Sequence, residues 1–152
     1  PLGSGLSGNF SDFVGRWDLA IGRYIDIAHR FRLDKTSFRI RRNEVDVSVA
    51  LDKGSLSVGY FQLNRNREIT GFEDREEIRA SARYRIKGNW TIFGNVTEDL
   101  TGGSKPVAHG LGIAYADECL EISLAWRKSF TQDRDIVRGS SIGFRIRLKH
   151  LG

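Results

Sequence analysis

The sequence holds one cysteine, two prolines, no methionine and no long apolar run. Each scarcity excludes something. A single cysteine cannot build an internal disulfide framework. Without an unbroken apolar run of about 18 residues there is no transmembrane helix, and no charged-then-apolar stretch marks a signal peptide. Seventeen glycines set against so few prolines argue for a turn-rich β protein rather than a helical bundle. None of this excludes a membrane. A spanning β-strand needs only ~9–11 residues and alternates apolar with polar, so the mean hydropathy of -0.37 suits a soluble protein and a membrane barrel equally. At 152 residues the chain is one domain. Its opening "PLGS", residues 1–4, reads as the scar of a cleaved expression tag, which leaves residues 5–152 for the fold.

What the sequence has in abundance is a period of two. In "SIGFRIRLK" Ile142, Phe144, Ile146 and Leu148 alternate with Gly143, Arg145, Arg147 and Lys149. In "CLEISLAWR" Leu120, Ile122, Leu124 and Trp126 alternate with Glu121, Ser123 and Arg127. The stretches "EIRASARYRI", "YIDIAHRFRL" and "NEVDVSVAL" repeat the pattern. A strand sorts such residues onto two faces, whereas a helix would scatter them. About nine strands follow, near 12–19, 24–33, 39–50, 56–63, 76–86, 90–99, 107–116, 119–129 and 139–149. Most exceed the ~5–6 residues of soluble sheets.

The connections alternate in length. Tight turns fall at 20–23, 52–55, 87–89 and 116–117, and longer loops at 34–38, 64–75, 100–106 and 130–138. Short turns on one rim and long loops on the other are the build of outer-membrane barrels. Trp17, Tyr24, Tyr84, Trp90 and Tyr115 lie within a few residues of the tight turns, where they suit a belt at one membrane interface. The reading is an all-β, antiparallel up-and-down meander, a fragment of a transmembrane β-barrel. Small residues on the polar face of the seventh strand, Ala108, Gly110, Gly112 and Ala114, favour a lumen over a solvated outer surface. An odd strand count with mismatched ends implies further strands before residue 5 in the natural protein.

Catalytic and metal chemistry find no support. His29, His109 and His150 fall in different strands without metal-ligand spacing, and no phosphate loop of the P-loop or dinucleotide kind is present. The acidic cluster "FEDREE", residues 72–77, reads as part of a solvated loop. No cofactor is implied. The functional candidates are arginines of the polar face: Arg30, Arg32, Arg79, Arg83, Arg85, Arg127, Arg145 and Arg147. They either pair with Asp18, Asp26, Glu44, Asp46 and Glu121 across a wet lumen, or meet lipid phosphate or a plug through their planar forks. Nucleic acid is disfavoured, because aromatics and arginines lie mostly on opposite faces and could not share one groove. A soluble or generic outer-membrane barrel that binds a lipid or another anionic ligand is the alternative.

Two segments carry a family resemblance. "GLGIAYADECLEISLAWRKSF" followed by "GSSIGFRIRLKHLG" resembles the C-terminus of the lipopolysaccharide-assembly outer-membrane family (LptD, also called OstA or Imp). "HRFRLDKTSFRIRRNEVDVSV" resembles that family's preceding strands. The resemblance covers most of residues 11–152. It implies the C-terminal part of a translocon in the outer membrane of a Gram-negative bacterium, which delivers lipopolysaccharide to the outer leaflet. Its implied partners are lipopolysaccharide, a lipoprotein plug, and a periplasmic bridge reached through an N-terminal domain absent from this chain. It also implies a role for Cys119: a disulfide to that periplasmic domain. Some members carry two adjacent cysteines there, and here Leu120 takes the second place, so this segment can make one bridge at most.

Overall fold

The computed structural model describes residues 12–64, 74–131 and 138–149. The "PLGS" opening, the "GLSGNF" lead-in, His150, Phe72, Glu73 and most of the two longest loops lie outside them. Nine strands form one antiparallel sheet in chain order: β1 Phe13–Ile21, β2 Ile25–Leu33, β3 Ile40–Leu51, β4 Gly54–Leu63, β5 Arg75–Lys87, β6 Trp90–Asp99, β7 Lys105–Ala116, β8 Leu120–Ser129 and β9 Gly139–Leu148. Every strand pairs with its sequence neighbours, and β1 and β9 do not meet, so the sheet is open.

The tight turns share one rim. Two of them pass through glycines in the left-handed region, Gly22 (φ 59°) and Gly88 (φ 54°), where a Cβ would be strained. Backbone hydrogen bonds link each tight connection to the next, with Ala50 N–H donating to Tyr24, Arg85 to Lys53, Ala116 to Asn89 and Lys149 to Cys119. The rim climbs relative to the hydrogen-bond rows. One row runs Ile21, Ile25, Val49, Leu56, Ala82, Gly94, Leu111, Trp126, Ile142. It starts at the last residue of β1 and reaches β9 six residues before that strand ends. A slide of that size across nine strands corresponds to a tilt of about 30°, close to the 35–45° of closed barrels.

The register sorts side chains onto two faces. On one lie Trp17, Ile27, Val47, Val58, Ile92, Leu111, Leu124, Phe144 and their row mates. This apolar face is uncovered. Among the described residues the only buried hydrophobic side chain is Ala108, while Leu111, Phe144 and Ile142 are 62, 64 and 73% exposed. The apolar band ends toward the long loops at Asn43, Gln62, Glu76, Glu98, His109 and Lys128, which occupy the same face by register. On β8 the stretch from Leu120 to Lys128 spans ~27 Å along the strand and ~24 Å after tilt, close to the ~25 Å apolar band of outer-membrane barrels.

Aromatics mark the ends of that band. Trp90 and Tyr115 meet at the tight-turn rim with ring centroids 5.1 Å apart, and Arg23 lies 5.0 Å over Tyr24. Trp17 is deeper than the sequence suggests. It stands at the middle of β1, edge-on to His29 across the pair, 5.4 Å between centroids. His29 in turn is hydrogen-bonded to Asn43 Oδ1 (2.7 Å), which satisfies a polar ring on an apolar face. The acidic "FEDREE" stretch is not all loop. Its Arg75, Glu76 and Glu77 open β5, with Glu76 accepting the Tyr60 hydroxyl (2.6 Å) on one face and Glu77 on the other.

Candidate functional site

The second face gathers the arginines. By register Arg30 and Arg32 on β2, Arg79, Arg83 and Arg85 on β5, Arg127 on β8, and Arg145 and Arg147 on β9 all lie on it. Their surroundings differ. Arg30 bonds Glu44 (3.2 Å) and Asp46, and Arg79 bonds Glu77. Arg147 reaches Glu121 at 3.6 Å. Arg83 instead lies over the Phe93 ring, 5.8 Å from its centroid. Arg32, Arg85, Arg127 and Arg145 make no ion pair among the described residues, and neither does Arg83. The arginine ends of these pairs are solvated, but Glu77 is buried and its carboxylate is held between Arg75 and Arg79.

Three further arginines share this face and were not singled out in the sequence: Arg16, bonded to Asp18 (2.8 Å), Arg42, bonded to Glu44, and Arg75, bonded to Glu77 (2.8 Å). Their phase in the alternation marks the face, as it does for the others. Two aromatics also depart from the opposite-face rule. Phe61 and Phe93 are on the polar face, each under a guanidinium, Arg42 and Arg83 respectively. Phe93 covers Gly112 so closely that a Cβ there would stand 2.3 Å from the ring. Asn95 covers Gly110 in the same way, with Oδ1 at 2.5 Å. The glycines of β7 thus make room for neighbouring side chains to lie flat along the face.

Cys119 is exposed at the tight-turn rim, in the connection between β7 and β8. Asp117 organises this turn. Its Oδ1 accepts the backbone N–H groups of Cys119 (2.9 Å) and Leu120 (2.7 Å). Lys149 ties the turn to the end of β9, donating from its backbone to the Cys119 carbonyl (2.8 Å) and from Nζ to the Asp117 carbonyl (2.7 Å). Leu120 pairs with Leu148 on the apolar face, so a cysteine at that position would point away from this rim cluster.

The two N–H donors, Cys119 first and Leu120 second, hold the Asp117 carboxyl below the usual carboxylate range. Asp34, in the loop between β2 and β3, is lowered in the same direction by the N–H groups of Ser37 and Thr36 and by Arg41. A lowered folded value means the turn is stabilised fully above the ordinary aspartate pKa and loses that support as pH falls through the folded one. The Leu120 amide signal is therefore expected to titrate with a midpoint below ~3.9, and not at all in Asp117→Ala. A midpoint at or above that ordinary value contradicts the turn geometry.

No metal-ligating group of three or more side chains occurs among the described residues. No curated protein matches the sequence. The family model for lipopolysaccharide (LPS) transport system D, LptD, matches residues 2–90, more than half of the chain, from the N-terminal segment through the first residue of β6. The match includes the "HRFRLDKTSFRIRRNEVDVSV" segment, while the C-terminal segment around Cys119 lies beyond it. Nine tilted up-and-down strands with an uncovered apolar face fit a section of a barrel wall, and the matched family is one of outer-membrane LPS transport. The chain belongs to the LPS transport system D family.

Proposed function

We propose that residues 5–152 form the C-terminal wall of the outer-membrane translocon that delivers lipopolysaccharide to the outer leaflet. The observation that carries this reading is the bare apolar face. A sheet in water must bury such a face in a core, and lipid is the cover for which an outward apolar band with interface aromatics is suited. In this reading the polar face lines the passage and meets the lipoprotein plug. Arg30, Arg32, Arg79, Arg83, Arg85, Arg127, Arg145 and Arg147 serve as contacts for plug or lipid phosphate. β9, with its free edge, forms one lip of the lateral gate, and the work is structural and gating rather than enzymatic.

Cys119 anchors the periplasmic domain, and with it the periplasmic bridge, by a disulfide. Two facts support this role: the thiol is exposed, and it stands on the tight-turn rim, which faces the oxidising periplasm in such barrels. The test is non-reducing gel mobility of the full-length natural protein with and without Cys119→Ser. The expected result is a band that the substitution or a reductant abolishes. Unchanged mobility with a freely labelled thiol removes the anchoring role and leaves a barrel wall tied to LPS transport by its family alone.

A further inference from the structure

We infer that the polar face holds an anion site across β1, β2 and β3, built by Arg16, Arg30, Arg32 and Arg42, that takes a phosphate monoester. This rests on the reading of that face as a water-filled passage. The register places Arg16 directly opposite Arg30, and Arg32 directly opposite Arg42. Side chains so paired stand ~4.5–5.5 Å apart at Cβ, and like charges there are destabilising. The four guanidiniums have three carboxylates among them: Asp18 serves Arg16, Asp46 serves Arg30, and Glu44 is shared by Arg30 and Arg42. Arg32 is left over. It makes no hydrogen bond or ion pair among the described residues, and its partner on β1 is the apolar Val14. An open cleft of about 360 Å³ lies here, lined by the four arginines, Val14 and Glu44 among others.

The surplus is local. The comparable acidic pair, Glu77 opposite Asp99, is answered within the chain, since Arg75 and Arg79 both bond Glu77. The other arginines without acidic partners face neutral residues instead: Arg83 faces Ser55 and Phe93, Arg85 faces Thr91, Arg127 faces Gly110 and Ser141, and Arg145 faces Ser123. Only at β1–β3 do guanidiniums confront each other, and there Arg32, which has no carboxylate, faces Arg42, whose Nε and Nη2 are on Glu44. A phosphate monoester carries about −1.5 to −2 charges at neutral pH and offers three oxygens, so one group can bridge the Arg32 fork and the side of the Arg42 guanidinium that Glu44 leaves open, and cancel their repulsion. A carboxylate supplies about half that charge, so it would cancel less of the repulsion between two facing guanidiniums.

The test uses the full chain folded in uncharged maltoside micelles, with binding read from the arginine Nε–H signals. The probes are inorganic phosphate, dihexanoyl phosphatidic acid, and dihexanoylglycerol as its phosphate-free counterpart. Both phosphate probes are expected to shift the Arg32 and Arg42 signals, and dihexanoylglycerol is not. Arg32→Gln is expected to weaken phosphate binding about tenfold, the loss of one charge-assisted fork, whereas Arg75→Gln, at a residue on the same face already bonded to Glu77, changes it less than twofold. Equal affinity for the two phosphate probes assigns recognition to the phosphate group alone; tighter binding of the lipid adds its glycerol ester. The proposal is overturned if Arg32→Gln binds phosphate like the native chain, or if Arg75→Gln loses as much, which would indicate a diffuse field. Arg42→Gln provides the same comparison should Arg32→Gln lose its strand signal by circular dichroism. Lipid quenching of the tryptophans is independent of this result, so an intact wall without phosphate binding removes the site and leaves the wall.

Discussion

Arginine in place of Leu124 is expected to abolish most of the chain's insertion into lipid vesicles, whereas arginine in place of its neighbour Ala125 leaves insertion nearly unchanged. Leu124 lies on β8 in the apolar band, paired with Ile113 on one side and Phe144 on the other. It is 47% exposed, with no protein layer over it. A guanidinium there would stand in hydrocarbon, at a loss of about 2–4 kcal/mol near the midplane. Ala125 points to the opposite face, between Gly112 and Gly143, where a long cation can reach water. Vesicle flotation and urea midpoints in micelles both read the difference. Equal insertion of Leu124→Arg and native chain would mean that the apolar face does not meet lipid.

The second large effect is expected on the polar face. Gly112→Val should lower stability by about 1–3 kcal/mol, the range for forcing extra atoms into a filled site. The added Cβ would stand 2.3 and 2.6 Å from Phe93 ring atoms and 2.9 Å from the Leu124 backbone oxygen. The ring has to leave, and the Arg83 stack leaves with it. Gly143→Val is the control on the same face. Its Cβ would meet nothing nearer than the Ala125 carbonyl at 3.9 Å, so the change should stay within about 0.5 kcal/mol. Equal losses at the two positions would indicate that the β7 glycines serve flexibility rather than space.

Much of this fold is legible in the sequence because alternation specifies both strand and face. All nine strands, their order and the faces of the eight singled-out arginines follow from it. Boundaries drift where the local signal contradicts the tertiary one. Pro106 reads as loop, yet β7 begins at Lys105, because the register shift opposite Thr97 and Glu98 accommodates a residue without an N–H. Arg75 reads as loop, one residue before the expected strand, yet it opens β5 and alternates faces with Glu76 and Glu77 as strand residues do. The opposition of Arg16 to Arg30 and of Arg32 to Arg42 is not legible strand by strand. Alternation gives a residue its face, and only the register gives it a neighbour. Phe61 and Phe93 escape notice for a related reason, each following an apolar residue that already fills the expected phase.

The central claim is that the apolar face of this sheet meets lipid, and the three tryptophans report on it directly. Trp17, Trp90 and Trp126 all lie on that face by register, at different heights: Trp90 at the tight-turn rim, Trp17 at mid-strand, and Trp126 one outward position before Lys128. The measurement is fluorescence quenching of single-tryptophan chains in vesicles whose acyl chains carry bromine at set depths. The account predicts that all three are quenched, with Trp17 responding most to the deepest bromines and Trp90 to those nearest the headgroup. Tryptophans untouched by bromine yet quenched by iodide from the water would contradict it, and would mean that this face meets water or another protein surface instead of lipid.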